Sequence, residues 1–212
     1  MSEIIHGDFR DFEIPQDAFI ISDPPYNQNY HYAEYKDTLS DKEYLDTLSK
    51  AFCNRKSVII LYPEETINLL GKTLGQVEQV VSWVYNSNTA KQSRLISWWN
   101  CKPDMKKIPQ AYKNPTDKRI AKRISEGKSA RAYDWWEINQ VKNVSKKDNP
   151  HPCPIPDELA RRIILSTTEV NDLIVDPFAG SGTICRIAKE LGRRFIGYEI
   201  DKTYVDYANK TL

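Results

Sequence analysis

Leu173, Ile174 and Val175 run into Asp176, and Pro177-Phe178-Ala179-Gly180-Ser181-Gly182-Thr183 then opens an apolar-periodic stretch. A short β-branched run ending in an acid, a turn with two glycines and a periodic segment read as strand, tight loop and helix start. Gly180 and Gly182 supply unusual dihedrals and let the backbone approach a ligand closely. Free N–H groups at the helix start favour an anionic or polar ligand. The loop is not a P-loop, because Thr183 stands where Gly-Lys-Ser/Thr would be needed and no lysine follows. Taken alone, the segment is equally an ordinary strand–helix turn of an α/β protein.

The rest of the 212 residues alternates in the same way. Ile4–Phe9 reads as a strand ending in a polar turn at Gly7-Asp8, and Ala18–Ser22 as a buried strand stopped by Asp23-Pro24-Pro25-Tyr26. The two prolines cannot continue a strand ladder and fix a stiff, extended turn. Asn27–Thr38 is a polar loop carrying Tyr30, Tyr32 and Tyr35. Ser40-Asp41-Lys42-Glu43 has the capping-box pattern and opens a helix to about Asn54. A strand follows over Ser57–Tyr62, a helix over Glu64–Leu74 and a third β-rich run over Val77–Tyr85. Order resumes with a helix over Pro156–Thr168, the Leu173–Asp176 strand, a helix over Thr183–Leu191, a strand over Arg194–Glu199 and a helix over Lys202–Lys210. The fold class is α/β, with an open, largely parallel sheet covered on both faces. Ligands of such sheets bind beyond the carboxyl ends of the strands, at a topological switch point.

Between Thr89 and Asn149 the chain turns basic, with fifteen Lys/Arg against six Asp/Glu, a balance of +9; the remainder has fifteen against twenty-three, a balance of −8. Prolines 103, 109 and 115 and the pairs Trp98-Trp99 and Trp135-Trp136 punctuate this stretch, which reads as an insert; the tryptophans are expected to pack. The chain therefore divides into 1–88, an insert 89–149, and 150–212. Lys118, Arg119, Lys122 and Arg123 fall on adjacent turns of a helix over Thr116–Ser125, a pattern shared by phosphate-binding and plainly solvated cationic faces. Cys53, Cys101, Cys153 and Cys185 are scattered, without a C-x-x-C pair, which favours reduced thiols over disulfides or a metal site. No apolar leader or long apolar run appears, so a cytoplasmic protein with no membrane segment is expected.

Asp23-Pro24-Pro25-Tyr26 resembles the catalytic motif of amino-group DNA methyltransferases. Asp176–Thr183 followed by the strand to Glu199 resembles their S-adenosylmethionine site. Catalytic motif first, basic insert next and cofactor motif last is the order of the beta class, a circularly permuted Rossmann-like methyltransferase sheet. Many members read His-Pro-Thr-Gln-Lys-Pro where this chain has His151-Pro152-Cys153-Pro154-Ile155-Pro156, so the lysine is missing. The resemblance implies transfer of a methyl group from S-adenosylmethionine to N6 of an adenine flipped out of double-stranded DNA. Asp rather than Ser at the first motif position favours adenine over the N4 of cytosine. By the same resemblance Asp176, Phe178, Gly180, Gly182 and Thr183 line the methionine side, Glu199 holds the ribose and Asp8 lies on the adenine side; turn capping serves Asp8 equally well. The insert occupies the place of the target-recognition region, which would put Lys118, Arg119, Lys122 and Arg123 on DNA. A homodimer is a further expectation, since beta-class relatives are often dimers.

The catalytic residues make chemical sense independently. An exocyclic amine is a poor nucleophile because its lone pair is delocalised into the ring. Asp23 and the Pro24 carbonyl can each accept one of its N–H groups and bias the nitrogen toward a tetrahedral geometry. Pro25 keeps both acceptors in place without reorganisation. Tyr26 supplies a face for the extruded base, worth about 1–3 kcal/mol. A sulfonium methyl is already activated, so no cysteine nucleophile is needed.

Overall fold

The computed structural model describes residues 2–30, 32, 34, 35, 37–141 and 149–212. Its centre is one eight-stranded sheet built from β1 (Glu3–His6), β2 (Phe19–Ser22), β3 (Lys56–Leu61), β4 (Val77–Val84), β5 (Ser93–Trp99), β8 (Trp135–Glu137), β9 (Leu173–Asp176) and β10 (Arg194–Glu199). A two-residue pair, β6 (Pro109–Gln110) with β7 (Ala130–Arg131), stands apart from it. The strand order is β1-β10-β9-β2-β3-β5-β4-β8. All neighbours run parallel except at β5, which is antiparallel to both β3 and β4.

Burial on both faces explains the continuous apolar runs. One face carries α1 (Asp41–Phe52) and the helical stretch α2 (Pro63–Glu65), a π turn (Thr66–Leu70) and α3 (Gly71–Leu74). There Leu48, Phe52 and Leu70 pack on Ile20, Ile59 and Val175. The other face carries α5 (Asp157–Thr167), α6 (Thr183–Glu190) and α7 (Lys202–Thr211), whose Leu159, Ile163, Ile184 and Val205 pack on Ile21, Val58 and Ile174. The capping box forms as expected: the Ser40 hydroxyl accepts from Glu43 N, and the Glu43 carboxylate accepts from Ser40 N at 3.0 Å.

The stretch read as an insert, 89–149, contributes strands β5 and β8 to the main sheet. Ser93–Trp99 is an inner strand of the main sheet, bonded to β3 on one side and β4 on the other. Its apolar residues serve both faces, Trp98 entering one core and Trp99 the other, so its sequence lacks the alternation of a half-exposed strand. Trp98, Trp99 and Trp136 are buried as expected, whereas Trp135 is 42% exposed. The helix in the insert is α4 (Lys118–Ser125), capped by Asp117, which accepts from Arg119 N and Ile120 N; none of its residues is buried. No helix among the described residues is long and apolar enough to cross a membrane.

Candidate active site

The chain from β2 proceeds to β3 on one side, and the chain from β9 to β10 on the other, so the β2–β9 seam is where the strand order reverses. Both strands end in Asp-Pro at the same rim. There the Ser22 hydroxyl donates to Asp176 Oδ1 at 2.5 Å, tying the end of one strand to the end of the other. A cleft of about 310 Å³ opens above this seam. Asp8, Asp23, Pro24, Pro25, Tyr26, Asp176, Phe178, Gly180, Thr183 and Glu199 all line it, although 149 residues of sequence separate the two motifs.

On the C-terminal side Gly180 has φ +52°, and a Cβ there would lie 2.9 Å from the ring of His151. Only glycine suits that turn. The Gly180 N–H donates to Glu199 Oε2 at 2.8 Å, and Asp201 N–H donates to Oε1 at 2.8 Å. Glu199 is thereby held at the cleft wall, and burial lifts its carboxyl above the ordinary value against these two bonds. Burial likewise pushes Asp176 up to about 7, opposed by the Ser22 and Phe178 hydrogen bonds and assisted by the charges of Asp23 and Glu199. Phe178 is fixed edge-on against Phe9 at 5.1 Å.

Gly182 stands beside the cleft-lining residues Ser181 and Thr183 and faces the packing behind them. It caps α6 with φ +76°, and a Cβ there would meet Ala208 and Ile4 at 2.8 Å, so it permits close packing of α7 and β1. Asp8 combines both readings: it lines the cleft, while its carboxylate caps the turn at Arg10 N (2.9 Å) and pairs with the Arg10 guanidinium. Lys118, Arg119, Lys122 and Arg123 lie on exposed α4 and take no part in the cleft wall.

On the N-terminal side the turn is rigid beyond its prolines. Tyr44 of α1 donates its hydroxyl to the Pro25 carbonyl at 2.8 Å. Asp37, 3% exposed, accepts from the backbone N–H groups of Asn27, Gln28 and Tyr30 and so shapes the tyrosine loop that walls the cleft. Tyr26 is not a bare platform: its hydroxyl donates to Asp23 Oδ1, and its ring lies 4.9 Å from that of Tyr62. Burial raises the Asp23 carboxyl, and the Arg94 charge and the Tyr26 bond draw it back down.

Sequence reasoning missed two contributors. Arg94, the second residue of β5, lines the cleft beside Asp23, a consequence of strand reversal that charge counting cannot register. His151, left without a role by the altered motif, packs against Tyr204 at 4.9 Å and Tyr32 at 6.3 Å and roofs Gly180. Burial holds its imidazole down to about 4, so it is neutral near pH 7, and its Nδ1 accepts from Cys153 N at 3.3 Å. Among the described residues no group of His, Cys, Asp or Glu is arranged to hold a metal ion.

The family model described as DNA methylase, of the N6/N4 methyltransferase type, matches residues 18–210. Among curated proteins the chain resembles the type II methyltransferase M.BglII of Bacillus subtilis, 35% identical over 136 residues, covering 60% of this chain and 38% of that protein. It also resembles the DNA adenine methyltransferase YhdJ of Escherichia coli K12, 26% identical over 241 aligned positions, covering 99% of this chain and 82% of that one. The chain thus spans well under half the length of the first of these relatives. Its fold matches the crystal structure of an M1.HpyAVI–SAM complex with a TM-score of 0.64 at 22% identity, over 100% of this chain and 98% of that one. With the two strand-end motifs joined in one cleft and the family model spanning both, the chain belongs to the N6/N4 DNA methylase family.

Proposed function

We propose that this protein is a site-specific DNA methyltransferase that uses S-adenosylmethionine to methylate N6 of an adenine flipped out of duplex DNA. The observation that carries the reading is the seam itself: Asp23 and the Gly180 turn sit at the ends of adjacent parallel strands and share one cleft. The glycine turn roofed by His151, with Glu199 anchored by two backbone N–H groups, fits a nucleoside-bearing cofactor. Asp176, Phe178, Gly180 and Thr183 would hold the methionine side and Glu199 the ribose. Bound S-adenosylmethionine supplies a sulfonium methyl for displacement by the amine, the electron pair of the broken C–S bond returning to sulfur.

The chain's own part is orientation. Asp23 and the Pro24 carbonyl accept the amine's two N–H groups, and Tyr44 braces the turn from behind through Pro25. Asp23 would stabilise positive charge as it develops on nitrogen and accept the proton that nitrogen sheds. Tyr26 and Tyr62 offer aromatic surface to the extruded base. Adenine is favoured by Asp23 at the first motif position and by the likeness to an adenine methyltransferase. The segment after Trp99 is assigned to target recognition, with Lys118, Arg119, Lys122 and Arg123 on phosphates.

Labelled-methyl transfer to duplex DNA followed by nucleoside digestion tests the reading, with N6-methyl-2′-deoxyadenosine expected. N4-methyl-2′-deoxycytidine as product would overturn the choice of base, and no incorporation would overturn the activity. Asp23→Ala is expected to abolish transfer while S-adenosylmethionine binding by calorimetry stays within about threefold, a factor worth well under 1 kcal/mol. Loss of both together would contradict the division of labour between the two rims.

A further inference from the structure

Each carboxylate oxygen of Asp23 has a partner before any base arrives. Its Oδ1 accepts from the Tyr26 hydroxyl, and its Oδ2 faces Arg94 Nη1 at 3.3 Å. Arg94 is 7% exposed and held within an aromatic cage, its guanidinium carbon 5.0 Å from the Tyr26 ring, 5.2 Å from Trp83 and 5.3 Å from Tyr62. Such stacking leaves the planar fork free to point edge-on at a carboxylate. The position follows from topology. Because β5 runs opposite to its neighbours, its beginning lies at the rim where β2 and β3 finish, and Arg94 pairs in register with Trp83. A guanidinium serving only as a packing staple would have its donors satisfied, yet Arg94 Nε–H is buried without an acceptor among the described residues. A buried cation with one donor spent on the catalytic carboxylate and another unspent is placed to act on what enters the cleft.

We propose that Arg94 is a positioning residue for methyl transfer: it clamps Asp23 through Oδ2 and keeps that carboxylate an ionised acceptor, while the amine of the incoming base takes the Oδ1 site that the Tyr26 hydroxyl vacates. The proposal rests on the amino-methyltransferase reading given above. The clamp holds one oxygen so that the other presents a fixed lone pair, and the displaced Tyr26 ring becomes available to the base. Ionisation matters because a protonated Asp23 would lose acceptor strength and could not stabilise charge on nitrogen. The groups surrounding Asp23 are unequal to the task without Arg94. Burial pushes Tyr26 on its own turn and Tyr85 after β4 upward, so both are neutral near pH 7, and Tyr62 after β3 contributes a ring face to the cage. Tyr32, Tyr44 and Cys153 feel the Asp23 charge without neutralising it, and Asp176 across the seam repels it. Arg94 is the nearby cation that opposes burial of the carboxylate.

The test compares Arg94→Gln and Arg94→Lys with the wild type. For the Gln variant kcat is expected to fall roughly tenfold to a hundredfold near pH 7. The acid limb of its kcat–pH profile should move to higher pH, with S-adenosylmethionine affinity within about threefold of wild type, under 1 kcal/mol. The Lys variant keeps the charge but not the fork, so its acid limb should return toward wild type while kcat recovers only in part. Carboxyl carbon NMR of Asp23, in protein labelled at aspartate, reads the same titration without any turnover. It should move upward in Arg94→Gln and stay near wild type in Arg94→Lys. Superimposable Asp23 titrations in wild type and Arg94→Gln would overturn the proposal, as would cofactor binding lost in step with kcat. If the Gln variant does not fold, Arg94→Lys decides: a wild-type kcat, or a raised Asp23 titration, would overturn it. Wild-type protein that transfers no methyl group to DNA would instead sink the underlying activity, and the NMR titration would still report on the clamp.

Discussion

Asp176 shows how a single carboxyl couples the site to folding. It is 2% exposed, bonded to Ser22 and Phe178, and lifted to about 7. A group whose native value stands above its unfolded one binds its proton more tightly when folded. Its contribution to stability is complete below about pH 4 and is lost as pH rises through about 7. His151 has the opposite slope: held down to about 4, its contribution is lost as pH falls from its ordinary 6.5. Asp176→Asn keeps the acceptor for Ser22 and removes the titration. Urea unfolding should therefore show the variant gaining on wild type between pH 5 and pH 8, and parallel stability curves would contradict the assignment. The glycine turn and the Asp-Pro-Pro-Tyr turn were legible at this scale because backbone chemistry marks them locally. Arg94 was not, since its bond to Asp23 spans 71 residues and nothing in its own neighbourhood distinguishes it from Lys91 or Lys102.

Among the elements, α4 and β5 make opposite points. The α4 helix buries nothing, is held by its Asp117 cap, and shows four cations to solvent. Lys122→Glu with Arg123→Glu should leave unfolding free energy within about 0.5 kcal/mol. The same pair should reduce the slope of log K for DNA against log salt by about two. An unchanged slope would return α4 to a solvated cationic face. The β5 strand is the reverse, with Trp98 fully buried and its indole N–H donating to Thr167 Oγ1 at 2.8 Å. Trp98→Ala is expected to cost about 3–5 kcal/mol by chemical denaturation, from lost burial and the cavity left behind. Helix and strand periods disclosed α1, α5, α6, α7, β9 and β10 to within a residue or two, because caps and turn residues bracket them. The β5 strand was hidden by its setting: Lys91 and Arg94 at its start and Lys102 beyond its end gave it the charge of the segment that follows.

Across the whole molecule, the two halves of the sheet share their interior. One core cluster joins Ile21 and Val58 from the N-terminal part to Leu159, Ile174 and Ile184 from the C-terminal part, and the β2–β9 seam runs through the middle of the sheet. Chemical denaturation should accordingly show coincident transitions by circular dichroism and by tryptophan fluorescence. Separated midpoints would mean that residues 1–88 and 150–212 unfold independently. The antiparallel course of β5 has one last consequence. The hairpin tip between Val84 and Ser93 lies at the same end of the sheet as the Asp23–Tyr26 turn, with the Tyr85 N–H donating to the Gln92 carbonyl across its base. Lengthening that tip would preserve every strand pairing below it, so the chain can add surface at the end of the sheet where the cleft opens without altering the strands that carry its walls.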